Sequence, residues 1–173
     1  MSEGLLQIQL QEVKEMEKEN KIETKEDKKL RGGYYTPKEI SHFVTRWVVR
    51  KESKSILEPS CGDGQFIEAT IDRLSILRVN KKVIPQKIIG VELNKNEARK
   101  SSERFKNFSD VGNNIKNGDF FSQCHEWLKT GITYDSILGN PPFIRYQDFP
   151  EKYRNPALDI MRKAGLKPNK LMN

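Results

Sequence analysis

The sequence predicts an α/β domain on a parallel sheet, and three observations carry that expectation. Short apolar runs alternate with longer segments of helical periodicity, the pattern of successive β–α units rather than of hairpins. One run, Ser55-Ile56-Leu57, leads into a glycine-rich turn, Glu58-Pro59-Ser60-Cys61-Gly62-Asp63-Gly64, and then into a helix, which is the mononucleotide-binding arrangement. The other runs end on polar side chains, where a parallel sheet delivers its strand ends to a ligand crevice.

In chain order, residues 1–31 read as a helix-prone arm, with Leu5, Leu6, Ile8, Leu10, Val13 and Met16 forming a partial apolar stripe that gives way to alternating charges. Gly32-Gly33 marks the start of the domain, residues 32–173. In Tyr34-Tyr35-Thr36-Pro37, Thr36 and Glu39 have the spacing of a capping box, with Pro37 at the first helical position. The helix that follows carries Ile40, Phe43, Val44, Trp47 and Val48 on one apolar face. Strands are expected near 55–58, 87–92, 114–118 and 134–139, and helices near 65–78, 95–107 and 121–129. Residues 78–85 read as a basic loop, and Asn155-Pro156 reads as the cap and first turn of a short helix stopped by Gly165.

The strand ends hold the candidate ligand residues. Gly62 and Gly64 let the backbone approach a ligand closely. A nicotinamide fingerprint would need a third glycine where Ile67 stands. Lys87-Ile88-Ile89-Gly90-Val91-Glu92 ends on a carboxylate placed to accept from a ribose diol, although a helix cap or first-turn charge would also explain it. In Asn117-Gly118-Asp119-Phe120, Asp119 could accept from an adenine amino group under a covering Phe120, or could cap the next helix.

Asn140-Pro141-Pro142-Phe143 closes the fourth run. Asn140 offers a carbonyl acceptor. The two prolines stiffen the turn and donate no N–H, so nearby carbonyls lack local donors, and a residue before proline is pushed out of the helical region. Phe143 offers an aromatic face. Together they make a receptor for a planar molecule with an exocyclic amine; the plainer reading is a strand-terminating turn with a core phenylalanine.

Composition narrows the function classes. At 173 residues the chain supports one modest core. Thirteen of the twenty residues at 11–30 are charged but nearly balanced, whereas residues 31–173 hold 25 Lys and Arg against 16 Asp and Glu. The net +7 therefore belongs to the globular part, as expected of a phosphate-facing surface. Cys61 and Cys124 lack a C-x-x-C pairing and fit a reducing compartment, with Cys61 a small packing residue. His42 and His125 lack metal-ligand company, so no metal is expected. No apolar run has the length of a membrane span and no signal-peptide core is seen, so a soluble cytoplasmic protein is expected.

Taken in order, G-x-Y-Y-T-P, E-P-S-C-G-D-G-Q-F, G-V-E-L-N, N-G-D-F and N-P-P-F resemble the amino-terminal half of adenine-N6 DNA methyltransferases of the gamma class, the Eco57I and TaqI type of restriction–modification enzyme. The likeness runs from about Gly32 to about Tyr146. It implies a partial Rossmann-like class I methyltransferase fold with strand order 3-2-1-4 and S-adenosylmethionine as cofactor. By the resemblance, Tyr35 and Thr36 belong to the cofactor site, Thr36 at its methionine end. The turn holding Glu58, Ser60, Gly62 and Gly64 passes beneath the amino-acid portion, Glu92 holds the ribose, and Asp119 and Phe120 hold the adenine. Asn140 and the Pro141 carbonyl would grip the N6 of an adenine flipped out of DNA, and Pro142 and Phe143 complete that loop, with Phe143 stacked on the base.

The family's enzymes continue beyond the fourth strand, so the resemblance implies a fragment, or one half of a split enzyme whose second chain supplies the rest. The fourth strand would then be an open edge, which residues 150–166 or 1–30 could cover. Two alternatives remain: a non-catalytic remnant that binds cofactor or a partner, and a methyltransferase acting on RNA adenine or protein glutamine. The Y-Y-T-P segment favours DNA.

Overall fold

The computed structural model describes residues 35–108 and 110–169. The expected arm at 1–31 and the Gly32-Gly33 boundary lie outside the described residues. Four parallel strands form one sheet in the order β3-β2-β1-β4. They are β1 (Ile56–Glu58), β2 (Ile88–Glu92), β3 (Ile115–Asn117) and β4 (Ser136–Ile137). Ile56 stands opposite both Ile88 and Ser136, and Glu92 stands opposite Asn117. All three residues of β1 are buried, as a central parallel strand covered on both faces requires.

The helices are α1 (Lys38–Val48), α2 (Gln65–Ile76), the single turn α3 (Ile84–Lys87), α4 (Lys95–Arg104), α5 (Phe120–Thr130) and α6 (Glu151–Lys163). Successive strand residues point to opposite faces, so the core divides in two. On one side Ile56 and Ile88 meet Phe66, Ile67, Ile71 and Leu74 of α2 and Phe105 at the end of α4. On the other, Leu57 and Val91 meet Trp127 of α5, with Phe120 and Tyr134 packed against them. The Trp127 and Tyr134 rings meet edge to face at 5.1 Å.

Several expectations are corrected. The apolar face of α1 is split: Val44 and Val48 pack against the core, whereas Ile40, Phe43 and Trp47 are 52%, 57% and 67% exposed and Ser41 and Thr45 are fully buried. The two hydroxyls donate to carbonyls of their own helix, Ser41 to Lys38 at 2.9 Å and Thr45 to Ser41 at 2.6 Å, so burying them leaves nothing unsatisfied. Pro37 is not the first helical residue. It is extended (φ −53°, ψ 145°) and acts as the N-cap, its carbonyl accepting from the Ile40 and Ser41 amides, and no side chain caps α1.

Helix α6 starts five residues earlier than Asn155-Pro156 predicts. Pro150 is its N-cap and Pro156 lies inside it, losing one backbone bond near the first turns, while Gly165 (φ +78°) follows its end as expected. That helix packs on α5 and not over β4: the Phe121 and Phe149 rings lie 6.3 Å apart, and His125 Nδ1 approaches Asp159 at 3.8 Å. Ile137 of β4 stays 57% exposed. Residues 78–85 include the start of α3, where Ile84 and Pro85 are buried.

Candidate active site at the carboxyl ends of the strands

The polypeptide leaves β1 into the glycine turn, which is pinned to β2 by two contacts, and a third fixes the end of β2 itself. The Cys61 amide donates to the Val91 carbonyl at 2.8 Å, the Gly62 amide to Glu92 Oε2 at 2.8 Å, and the Asn94 amide to Glu92 Oε1 at 2.7 Å. Glu92, only 9% exposed, thus ties the glycine turn to the end of β2, its Oε2 holding Gly62 and its Oε1 holding Asn94.

Both turn glycines adopt left-handed backbone, Gly62 at φ +52° and Gly64 at φ +88°. Their surroundings differ. A Cβ on Gly64 would collide with the Phe105 ring and with Ser101 Oγ, so packing against α4 accounts for that glycine. Among the described residues, a Cβ on Gly62 would meet only the Tyr35 ring, at 3.8 Å. Cys61 is buried against Gly90, and burial, with the charges of Glu58 and Glu92, pushes its thiol well above the usual cysteine range. It is a packing residue, not a nucleophile.

Glu58 ends β1 at 4% exposure, its Cγ 3.6 Å from where Gly139 would carry a Cβ. Burial raises its pKa well above the ordinary carboxylate value, and the charges of Glu92 and Asp63 raise it further, against a backbone hydrogen bond from Ile67. Glu58 Oε2 and Ser60 Oγ are both buried without a hydrogen-bond partner. Arg104 of α4 clamps the outside of the turn, donating to the Asp63 carbonyl at 3.1 Å and pairing with Glu68.

Asp119 caps α5: its Oδ2 accepts from the amide and the hydroxyl of Ser122, at 2.8 and 2.7 Å. The cap reading of this residue holds, and Oδ1 remains unused by it. Phe120 is half-buried, with ring contacts to Phe121 at 5.4 Å and Trp127 at 6.4 Å.

Beyond β4, Asn140, Pro141, Pro142 and Phe143 are all exposed, and Phe143 reaches 79%. Phe143 is therefore not a core residue. The Asn140 amide nitrogen donates to Thr36 Oγ1 at 3.3 Å, and Thr36 lies one residue before the N-cap of α1. After the loop, Arg154 holds the chain, donating to the Tyr146 carbonyl at 3.1 Å with its guanidinium over the Tyr146 ring.

Two residues at this end escaped the sequence reading, Arg104 and Glu97. Glu97 stands three residues after the α4 N-cap Asn94, a spacing that reads as an ordinary first-turn acid, yet it is 5% exposed and accepts from the Tyr35 hydroxyl at 2.7 Å. Among the described residues no group of three or more His, Cys, Asp or Glu could hold a metal, and no helix is long and apolar enough to cross a membrane.

A parallel sheet with a glycine turn after its central strand and an acid ending the next defines a Rossmann-like nucleotide-binding domain. The chain belongs to the N-6 DNA methylase family, whose model matches residues 20–171. It is 30% identical over 124 residues to the modification methylase CviBIII of Paramecium bursaria Chlorella virus NC1A, covering 70% of this chain and 28% of that protein. It is 28% identical over 128 residues to the type II methyltransferase M.AccI of Acinetobacter calcoaceticus, covering 73% and 21%. With the type II methyltransferase M.HincII of Haemophilus influenzae it shares 27% identity over 135 residues, covering 78% and 22%. The chain thus spans about a quarter of the length of these relatives.

Proposed function

We propose that residues 32–173 form the cofactor-binding and amine-gripping portion of an S-adenosylmethionine-dependent DNA adenine-N6 methyltransferase. The observation that carries this reading is the Asn140–Thr36 hydrogen bond. It uses the asparagine's amide nitrogen, so the carbonyl oxygen is the atom left for an incoming amine. It also joins the fourth strand's loop to the segment beside the glycine turn.

The residues present fit the cofactor. Ser60 Oγ and Glu58 Oε2 are buried polar atoms in want of partners, and Gly62 leaves an uncrowded face on the turn. Glu58, Ser60, Gly62 and Gly64 with Tyr35 and Thr36 would hold the amino-acid end, Glu92 the ribose, and Asp119 with Phe120 the adenine. When bound, S-adenosylmethionine supplies an electrophilic methyl group on a sulfonium.

This chain's own part is to prepare the nucleophile. An exocyclic amine is a weak nucleophile because its lone pair is delocalised into the ring. Acceptance of its two hydrogens by Asn140 Oδ1 and the Pro141 carbonyl favours a pyramidal nitrogen, and the same dipoles stabilise the positive charge that develops during attack. Pro141 and Pro142 keep those acceptors stiff, and Phe143 stacks on the extruded base. Alignment supplies the remainder. The positive surplus of residues 31–173 suits a phosphate-bearing substrate.

Calorimetric titration with S-adenosylmethionine tests the cofactor half: the chain binds, and Glu92→Ala loses the binding. Equal heats for both proteins, or none for either while folded, would remove the site. In the complete or reassembled enzyme, Asn140→Ala abolishes methyl transfer with cofactor affinity retained, because the lost interaction is used in the transition state.

A further inference from the structure

The segment before α1 is held at two adjacent residues by two different parts of the site. Tyr35 donates to Glu97 Oε2 on α4 at 2.7 Å, and its ring lies over Gly62. One residue on, Thr36 accepts from Asn140 at 3.3 Å. Tyr35-Thr36 is thus a strap from the β2–α4 side, over the glycine turn, to the amine-gripping loop.

The far anchor is unusual for its place. A first-turn acid normally faces water, where the helix N-terminus favours it without burial. Glu97 is instead 5% exposed, with its backbone amide held by Asn94 Oδ1 at 3.1 Å and its Oε1 paired with Lys100 at 2.7 Å. A buried carboxylate is costly unless it is paired and hydrogen-bonded, and the tyrosine hydroxyl supplies a bond that reaches out of α4 to the site.

We propose that Glu97 is a positioning residue of the cofactor site: by fixing the Tyr35 hydroxyl it holds the ring over Gly62 and sets where Thr36 meets Asn140. This rests on the cofactor reading above.

The test combines Tyr35→Phe, Glu97→Ala, Glu97→Gln and the double Tyr35→Phe/Glu97→Ala in the 173-residue chain. Each is titrated with S-adenosylmethionine by calorimetry, with Glu92→Ala as control. Tyr35→Phe and Glu97→Ala should each weaken binding about tenfold, the scale of a hydrogen bond to a charged group. The double variant should be no weaker than either single one, because all three lack the same bond. Glu97→Gln should bind within about twofold of wild type, since its carbonyl oxygen still accepts from tyrosine.

Losses that multiply in the double variant, a Glu97→Ala that binds like wild type, or a Glu97→Gln as weak as Glu97→Ala would each overturn the proposal. If Glu92→Ala fails as expected while Glu97→Ala binds normally, the strap falls and the cofactor site stands. Hydrogen exchange on the ligand-free proteins gives a second readout, needed if Glu97→Ala unsettles α4 or if wild type does not bind. The amides of Tyr35, Thr36, Gly139, Asn140 and Phe143 should exchange faster in Tyr35→Phe, which keeps its ring, and at the wild-type rate in Glu97→Gln. Unchanged exchange in Tyr35→Phe would overturn the strap independently of any ligand.

Discussion

The two ends of the sheet are built on opposite terms. At the amino ends of the strands a network of polar groups joins β1, β2 and β4, and the Tyr134 hydroxyl is a buried group there without a hydrogen-bond partner. Asp135 Oδ2 accepts from the Lys54 and Ser55 amides at 2.8 and 2.9 Å, the Ser53 and Ser136 hydroxyls meet at 3.2 Å, and the Lys87 ammonium donates to the Ser53 carbonyl at 2.6 Å. At the carboxyl ends, Glu58 Oε2 and Ser60 Oγ are buried without partners and Phe143 stands in solvent. One end ties neighbouring strands together; the other keeps a carboxylate oxygen and a hydroxyl without partners at the place of the proposed cofactor. Stability and site chemistry should therefore separate along the strand direction.

Gly64 is where that division should break first. It lies at the carboxyl end, yet Phe105 and Ser101 fill the space beside it. Gly64→Ala combines left-handed strain with overpacking and should destabilise by roughly 2–4 kcal/mol in urea denaturation. Gly62→Ala carries only the strain, about 1–2 kcal/mol, with its larger effect on cofactor affinity.

Glu58 sharpens the contrast through pH. Its folded-state pKa is raised by burial first and by Glu92 and Asp63 next, so above the ordinary carboxylate value the folded protein retains a proton that the unfolded chain has released. Its contribution is full at acid pH and is lost as pH rises from that value through the raised one. Glu58→Gln should raise the melting midpoint at pH 8 and raise it less at pH 5, where the buried carboxyl keeps its proton. Asp135, at the amino end, has the opposite sign. The Lys54 and Ser55 amides lower its pKa, so its contribution is present at neutral pH and fades as pH falls below the ordinary carboxylate value. A pH series of Asp135→Asn should therefore converge with wild type in acid, and an equal deficit at every pH would contradict the assignment.

Smaller effects complete the series. Ser53→Ala or Ser136→Ala, both buried at 6% exposure, should cost about 1 kcal/mol, with the double variant well short of the sum. Phe143→Ala should leave stability within about 0.5 kcal/mol of wild type. In the complete enzyme the same change should impair methylation by about 1–3 kcal/mol, partly recovered on DNA with an unpaired target adenine. A large stability loss from Phe143→Ala would place that ring in the structure rather than in the site.

The strands and the helices α2, α4 and α5 were legible because their apolar spacing and their glycines, acids and caps are local signals. Phe66, Ile67, Ile71 and Leu74 are all buried as the periodicity of α2 requires. What was not legible depends on distant partners. Thr36 has the spacing of a cap, but its hydroxyl is engaged by a residue 104 positions away. Glu97 looks like a surface acid until Tyr35, 62 positions earlier, is brought onto it. Pro156 marked a helix start by rule, whereas the extended Pro150 already supplied one. The residues expected at the site do lie at one end of the sheet, on turns that the strand order brings side by side; their roles there are what the proposed experiments address.

The orientation of α1 bears on what sequence drift this helix can absorb. Its buried line is Ser41 and Thr45, small side chains bonded back to their own helix, and α1 packs against α2. Leucine at either position would lever the helix outward, and the head of that lever is Pro37, next to Thr36. Phe43 and Trp47, whose rings lie 6.2 Å apart, face away and can change without moving the site. Among the described residues, mutational tolerance in α1 thus runs partly against its hydropathy: Val44 and Val48 are held by the core, Phe43 and Trp47 are not, and the polar line of Ser41 and Thr45 is held to small residues.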